Sequence, residues 1–372
     1  MTQAMTGGTQ SGAAGDRLSA GVPDETVHQW LYDMQLIREF ESRTQQAYQQ
    51  AKIGGFCHIY TGQEACAVGT IRCMEPDDPV ITAYRDHGHA LARGMHPSAC
   101  MAEMYGRLEG CAKGKGGSMH MFDRPNHLYG GHGIVGAQTP LGAGLAFATK
   151  YRNEVLGNGK KQVALCYLGD GAVDQGAFHE ALNLASIYSL PVIYIIENNG
   201  YSMGTSIERH TANSDNLISR GLSYDIESFE IDGFDILDVY DAFKPIVDGC
   251  RDEQKPAFID FKTYRYQGHS MSDPQKYRTK DEVEDFKQKD SIAALVSHLM
   301  TPRDDGGRGS LTEEAWKAMQ KEIKGIVRSA VDFAENAAEA PLSELRTDVY
   351  ALPMKNLSPQ GPYVHGVKNP LL

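Results

Sequence analysis

Two short apolar runs, 163–168 and 192–196, constrain this chain more than any other feature. Both are too short for an ordinary helix and too continuously apolar for a strand with one wet face, so both are predicted to be strands buried on two sides. Between them Phe178, Ala181, Leu182, Ala185 and Tyr188 recur at helical spacing, and Pro191 ends that helix. A strand–helix–strand unit sets parallel strands about 4.8 Å apart with their carboxyl ends together. The first run ends in Gly169-Asp170-Gly171 and the second in Glu197-Asn198-Asn199. Asp170 and Asn199, far apart in the chain, therefore converge at the edge where parallel sheets bind ligands. A carboxylate and an amide oxygen are hard ligands suited to magnesium, and they leave positions for phosphate oxygens. Gly169 and Gly171 let the backbone approach a ligand. The helix predicted to start near 174–176 aims its N-terminus at the same point, which favours an anion.

The remaining sequence frames this unit. Trp30, Leu31, Met34, Ile37 and Phe40 predict a helix over 23–43, and another is expected near 98–108. Thr139-Pro140 predicts a helix to about 151, with Thr139 as N-cap and with Gly142 and Gly144 in close packing. A further strand is expected at 257–263. Trp316, Met319, Ile323, Ile326, Ala330 and Phe333 mark a long amphipathic helix. Alternating strands and helices indicate an α/β fold with a mainly parallel sheet flanked by helices. Residues 1–22, rich in Gly, Ser, Thr and Ala, are expected to be disordered, 23–345 to form one domain and 346–372 a tail. The stretch 301–310 reads as a loop rather than a domain boundary. A formal net charge of -12 leaves no basic stripe for nucleic acid. No apolar run approaches the roughly 20 residues of a membrane helix, and the first residues resemble neither a secretory signal nor a transit peptide. The 7 cysteines include no CxxC pair and read as buried thiols of a reducing compartment. A cytoplasmic protein is expected.

Beyond the two strand ends, five stretches carry a family resemblance. They are Gly55-Phe-Cys-His-Ile-Tyr-Thr-Gly-Gln-Glu64, Ile81-Thr-Ala-Tyr-Arg85, Lys113-Gly-Lys-Gly-Gly-Ser-Met-His120, Gly133-Ile-Val-Gly-Ala-Gln138 and Gly268-His-Ser-Met-Ser-Asp-Pro274. Together they resemble the alpha subunits of thiamine diphosphate-dependent 2-oxo acid dehydrogenases over roughly residues 25–345. The last stretch favours the pyruvate dehydrogenase branch over the branched-chain branch. The resemblance implies a thiamine diphosphate-binding fold and oxidative decarboxylation of pyruvate with acetyl transfer to a lipoyl group. It implies that the side chains of Asp170 and Asn199 and the carbonyl of Tyr201 coordinate magnesium, and that Tyr84, Arg85 and Arg265 bind the diphosphate. Gly169, Gly171 and Ala172 join them as cofactor-binding positions. Gly133 and Val135 would meet the aminopyrimidine ring through their backbone. His269 would be the catalytic histidine over the cofactor, and Phe56 and His58 would line the substrate side. An Arg fork also suits phosphate on its own chemistry.

The family assigns cofactor activation to a Glu that is not identified in this chain, and only the diphosphate-binding module is found. The resemblance therefore implies a separate beta subunit, an α2β2 heterotetramer, and the lipoyl domain of dihydrolipoamide acetyltransferase as a further partner. Ser270 matches a regulatory phosphorylation position of eukaryotic relatives. The stretch 274–277 is one residue shorter than theirs and lacks their second serine, which argues against kinase control. Branched-chain 2-oxo acid or acetoin dehydrogenation is the nearest alternative, and a non-catalytic cofactor-binding subunit is an alternative of another class. Three motifs read as decoys. Gly131-His-Gly-Ile-Val-Gly136 matches a dinucleotide fingerprint but follows a loop-like stretch, 123–127. The run 110–116 lacks the spacing and the Ser or Thr of a P-loop. His87, His89 and His96 lack partners for zinc and read as packing or surface residues.

Overall fold

The computed structural model describes residues 17–349. The long helix α1 (Asp24–Gln49) buries Trp30, Leu31, Met34, Ile37 and Phe40 as their spacing predicts. It is followed by α2 (Glu64–Ile71), strand β1 (Val80–Ala83), α3 (His87–Ala92) and α4 (Pro97–Met104). Next come β2 (Leu128–His132), α5 (Gln138–Glu154), β3 (Ala164–Gly169), α6 (Gly176–Ile187) and β4 (Val192–Asn198). A hairpin of β5 (Tyr201–Ser202) and β6 (Thr205–Ser206) leads through α7 (Ile207–His210) and α8 (Ile218–Leu222) to β7 (Glu227–Asp232), α9 (Ile236–Glu253) and β8 (Ala257–Lys262). Helices α10 (Lys280–Lys287), α11 (Ser291–Met300) and α12 (Glu313–Asn336) complete the fold.

The main sheet has the order β2-β1-β3-β4-β8-β7 with every pair parallel. Its central strands are apolar throughout because both faces are covered. Leu165, Tyr167, Ile193 and Ile195 enter a core with α1, α2, α9 and α12. Ala164, Cys166, Leu168, Tyr194 and Ile196 enter a second core with α5 and α6. Gly169 pairs in register with Glu197, so the two strand ends lie side by side.

Several local expectations change. The helix expected at 98–108 stops at Met104, because the chain turns there to wrap a Gly-rich loop. Thr139 caps nothing: α5 begins at Gln138, and the Thr139 hydroxyl is buried without a partner. Gly142 packs closely, since a Cβ there would lie 2.8 Å from Cys166 Cβ, whereas Gly144 faces open space. Tyr188 and Phe333 are exposed; the buried face of α12 includes Ile323 and Ala330, as their spacing predicts, with Val327 and Ala334 beside them. Of the N-terminal stretch expected to be disordered, residues 1–16 lie outside the described residues. Residues 17–22 are ordered: Leu18–Gly21 form a 3-10 turn, Arg17 pairs with Asp238, and Ser19 donates to Asp241. Of the tail, 350–372 lie outside the described residues, and Asp348 pairs with Lys113 and Lys115.

Candidate active site

The carboxyl edge of the sheet opens into a cavity of about 660 Å³. Its lining includes every site residue expected from the sequence: Phe56, His58, Tyr84, Arg85, Gly133, Val135, Gly169, Asp170, Gly171, Ala172, Asn199, Tyr201, Arg265 and His269. Asp170 sits at the tip of β3, 2 % exposed. Its Oδ1 accepts from the Gly171 amide at 3.1 Å, and its Oδ2 has no partner within the protein. Burial pushes its carboxyl up to about 6, against the pull of Arg265. Gly171 is required, since a Cβ there would collide with the Ser202 side chain. A 3-10 turn, Asp170–Asp174, separates β3 from α6, so this turn rather than the first turn of α6 follows the strand tip.

From β4, Asn199 offers Oδ1 to the Tyr201 amide at 3.3 Å and to Arg265 Nη1 at 3.4 Å. The adjacent Asn198 turns away and donates to Asp260 at 2.9 Å, as strand alternation requires. Tyr201 lines the cavity, and its phenol donates to Glu282 at 2.9 Å. Arg265 is 2 % exposed and also donates to Tyr277 Oη at 3.3 Å. Arg85 spends one N–H of each terminal nitrogen on a carbonyl, Ile59 O and His269 O, both at 2.7 Å. Burial, and then the neighbouring Arg265 charge, lowers Arg85 to about 10. Two guanidinium groups, Arg85 and Arg265, thus share the cavity with the carboxyl groups of Asp170, Glu197 and Asp273.

The other end carries neutral rings. Burial and then the Arg85 charge depress the His58 imidazole to about 2, and the same two causes hold His269 at about 3. Their ring centroids lie 5.2 Å apart, and Tyr84 packs 4.6 Å from His58. The His269 amide donates to Asp273 Oδ2 at 2.6 Å, fixing the loop that carries it. Phe56 is 66 % exposed at the mouth. Ser270 and Ser272 join at 3.1 Å on the lining.

The Gly131–Gly136 fingerprint needs correction. Strand β2 does precede it and α5 does follow, although 123–127 reads as loop. The strand went unread because Gly130 and Gly131 interrupt any apolar pattern. Gly133, Val135 and Gly136 line the cavity. The amides in and just after the run 110–116 are taken up by a carboxyl side chain of the protein itself. Glu103 accepts from Ala112, Gly114, Gly116 and Gly117 at 2.7 to 3.2 Å. Of the three histidines near Arg85, His87 and His89 are buried and His96 caps α4. Sequence reasoning missed Gln63, Glu197, Asp273 and Tyr277 as lining residues. Glu197 could have been found as the charged residue closing an apolar run; it accepts from the Tyr60 phenol and lies 3.2 Å from His89 Nε2.

An unpartnered buried carboxylate oxygen, an amide oxygen and two guanidinium groups line one cavity at the edge of a parallel sheet and suit a magnesium-bound diphosphate, as in a thiamine diphosphate-dependent enzyme. Within that class the chain belongs to the dehydrogenase E1 component family, which matches residues 32–343. It is 46% identical to the pyruvate dehydrogenase E1 component subunit alpha of Rickettsia prowazekii over 318 residues, 86% of this chain and 94% of that one. It is 48% identical to the subunit of the same name from Rhizobium meliloti over 317 residues, 85% of this chain and 88% of that one. Identity to the type II mitochondrial subunit alpha of Ascaris suum is 42% over 339 residues, 91% of this chain and 82% of that one.

Proposed function

We infer that this chain is the alpha subunit of a pyruvate dehydrogenase, binding thiamine diphosphate and magnesium and decarboxylating pyruvate with acetyl transfer to a lipoyl group. The observation that carries the cofactor assignment is Asp170 Oδ2, a buried carboxylate oxygen with no protein partner, beside Asn199 and Arg265. When bound, thiamine diphosphate supplies the electron sink that a 2-oxo acid needs to lose carbon dioxide. Asp170, Asn199 and the Tyr201 carbonyl hold the magnesium ion, a set of hard oxygens. Arg85 and Arg265 place positive charge against the diphosphate, with Tyr84 beside them, while Gly169, Gly171 and Ala172 admit it to the strand tip. Gly133 and Val135 present backbone to the aminopyrimidine. His269, held neutral by burial and by Arg85, would stand at the cavity as the imidazole available for hydrogen bonding and proton exchange, and Phe56 and His58 would bound the substrate side.

The chain works within a complex, as its alpha-subunit family implies, with a beta subunit in an α2β2 heterotetramer and a lipoyl domain of dihydrolipoamide acetyltransferase as acyl acceptor. The cytoplasm is its compartment; among the described residues no helix is long and apolar enough to cross a membrane. Co-expression with a candidate beta subunit tests the whole reading. Decarboxylation should require pyruvate, thiamine diphosphate and magnesium together, and Asp170→Ala should abolish it. Full activity of the isolated chain would refute the two-subunit reading. A branched 2-oxo acid turned over faster than pyruvate would shift the substrate, and an unaffected Asp170→Ala complex would favour a non-catalytic role.

A further inference from the structure

The segment 57–60 carries His58 into the cavity yet belongs to no helix or strand. Its backbone must find partners elsewhere, because a buried polar group without one costs about 1–3 kcal/mol. Buried side chains supply them. The Tyr60 amide donates to Glu41 Oε1 at 2.8 Å, and the His58 amide donates to Ser118 Oγ at 3.2 Å. Ser118 is itself held by His87, whose Nε2 lies 2.9 Å from both its carbonyl and its hydroxyl. The other ring nitrogen of His87 lies 3.0 Å from both oxygens of Glu41. Glu41, His87 and Ser118 are all buried, and Glu41 comes from the middle of α1, outside the cavity lining.

We propose that Glu41 is a positioning residue for His58: one carboxylate anchors the backbone on both sides of it, directly at Tyr60 and through His87 and Ser118 at His58. Burial opposes protonation of His87, but Glu41 prevails and raises its imidazole above the usual range. Nδ1 of His87 faces the Glu41 carboxylate and Nε2 faces Ser118, so the ring links the two. Glu41 also sits behind Arg85, whose fork holds the intervening Ile59 carbonyl. The amides of His58 and Tyr60 thus trace to Glu41, outside the cavity lining, while the Ile59 carbonyl is held by Arg85 and the Cys57 carbonyl by the Met271 amide.

The kinetic part of this proposal rests on the reading of His58 as a substrate-side residue, and its test separates the two. Glu41→Gln, His58→Ala and the double variant are assembled with the beta subunit and compared with the parent enzyme. Glu41→Gln should lower kcat/KM for pyruvate by about ten-fold or more, since small displacements near the chemistry are costly. The dissociation constant for thiamine diphosphate should change by less than about two-fold, and the loss should shrink to less than about two-fold on the His58→Ala background. Amide exchange should quicken in peptides spanning 57–60 and stay slow across β3 and β4. An equal loss on both backgrounds, or cofactor binding weakened in proportion, would overturn the positioning role. Unchanged exchange at 57–60 would overturn it regardless of kinetics. A silent His58→Ala would instead remove the substrate-side reading, with exchange still deciding the anchor. If Glu41→Gln fails to fold, Ser118→Ala cuts the His58 leg alone and should quicken exchange there; no change would again overturn the proposal.

Discussion

Asp86 is a buried carboxylate that its surroundings only half accommodate. Its Oδ2 accepts from the Met121 amide at 2.8 Å, while Oδ1 has no partner. Burial lifts it from 3.8 to about 7, with His87 pulling the other way. A group raised in the folded state adds its stability below its unfolded value and loses it as pH climbs through the folded one. Asp86 should therefore cost stability progressively between about pH 4 and 7. Asp86→Asn cannot titrate, so its stability relative to the parent should improve across that window, by on the order of a few kcal/mol. Urea denaturation at pH 5 and pH 8 would show it, and a pH-independent difference would contradict it. Asp170 and Asn199 were legible in the sequence because Gly-Asp-Gly and Asn-Asn close two readable strands, whereas Arg85 was legible only through the family resemblance of Ile81-Thr-Ala-Tyr-Arg85. Glu197 and Tyr277 were not, since their place in the cavity depends on partners, Tyr60 and Asp273, that only the folded chain brings near.

Helix α5 shows how an element's sequence can be read correctly in outline and wrongly in detail. Thr139-Pro140 marks where it starts, yet two of its glycines, equivalent on paper, face different neighbours. Gly142→Ala would press a methyl onto Cys166 and should destabilise by about 1–3 kcal/mol. Gly144→Ala meets nothing within 4 Å and should stabilise by roughly 0.5–1 kcal/mol through helix propensity. Chemical denaturation of the two variants checks the contrast, and equal effects would refute it. Strands β3 and β4 were readable because burial on both faces leaves apolar runs, and β8 was readable although Asp260 interrupts it. Strand β2, Leu-Tyr-Gly-Gly-His, lies at the sheet edge and owes its conformation to pairing with β1, which leaves little trace in its own residues.

At the scale of the molecule, α5 and α6 leave Leu141, Phe147, Tyr151, Leu184, Ile187 and Tyr188 exposed. Phe147 stacks on Tyr151 and meets Tyr188 edge-on, so these rings form one patch. Clustered exposed apolar groups mark association surfaces. Phe147→Glu with Tyr188→Glu should weaken assembly with the beta subunit while leaving the melting temperature of the isolated chain unchanged. Sedimentation of the mixed subunits measures this, and undiminished assembly would exclude the patch from that contact. The sequence could indicate a missing second module but not this surface, because Tyr188 and Phe147 fit helical periodicities that normally signal burial. Arg85, whose single guanidinium grips the carbonyls of both Ile59 and His269, bears on how the cavity admits anything at all. Two walls fastened by one fork are mechanically coupled, so a change that frees the guanidinium loosens both at once. Arg85→Lys would keep the charge but replace the planar fork with a single point charge, and the two walls would then breathe independently.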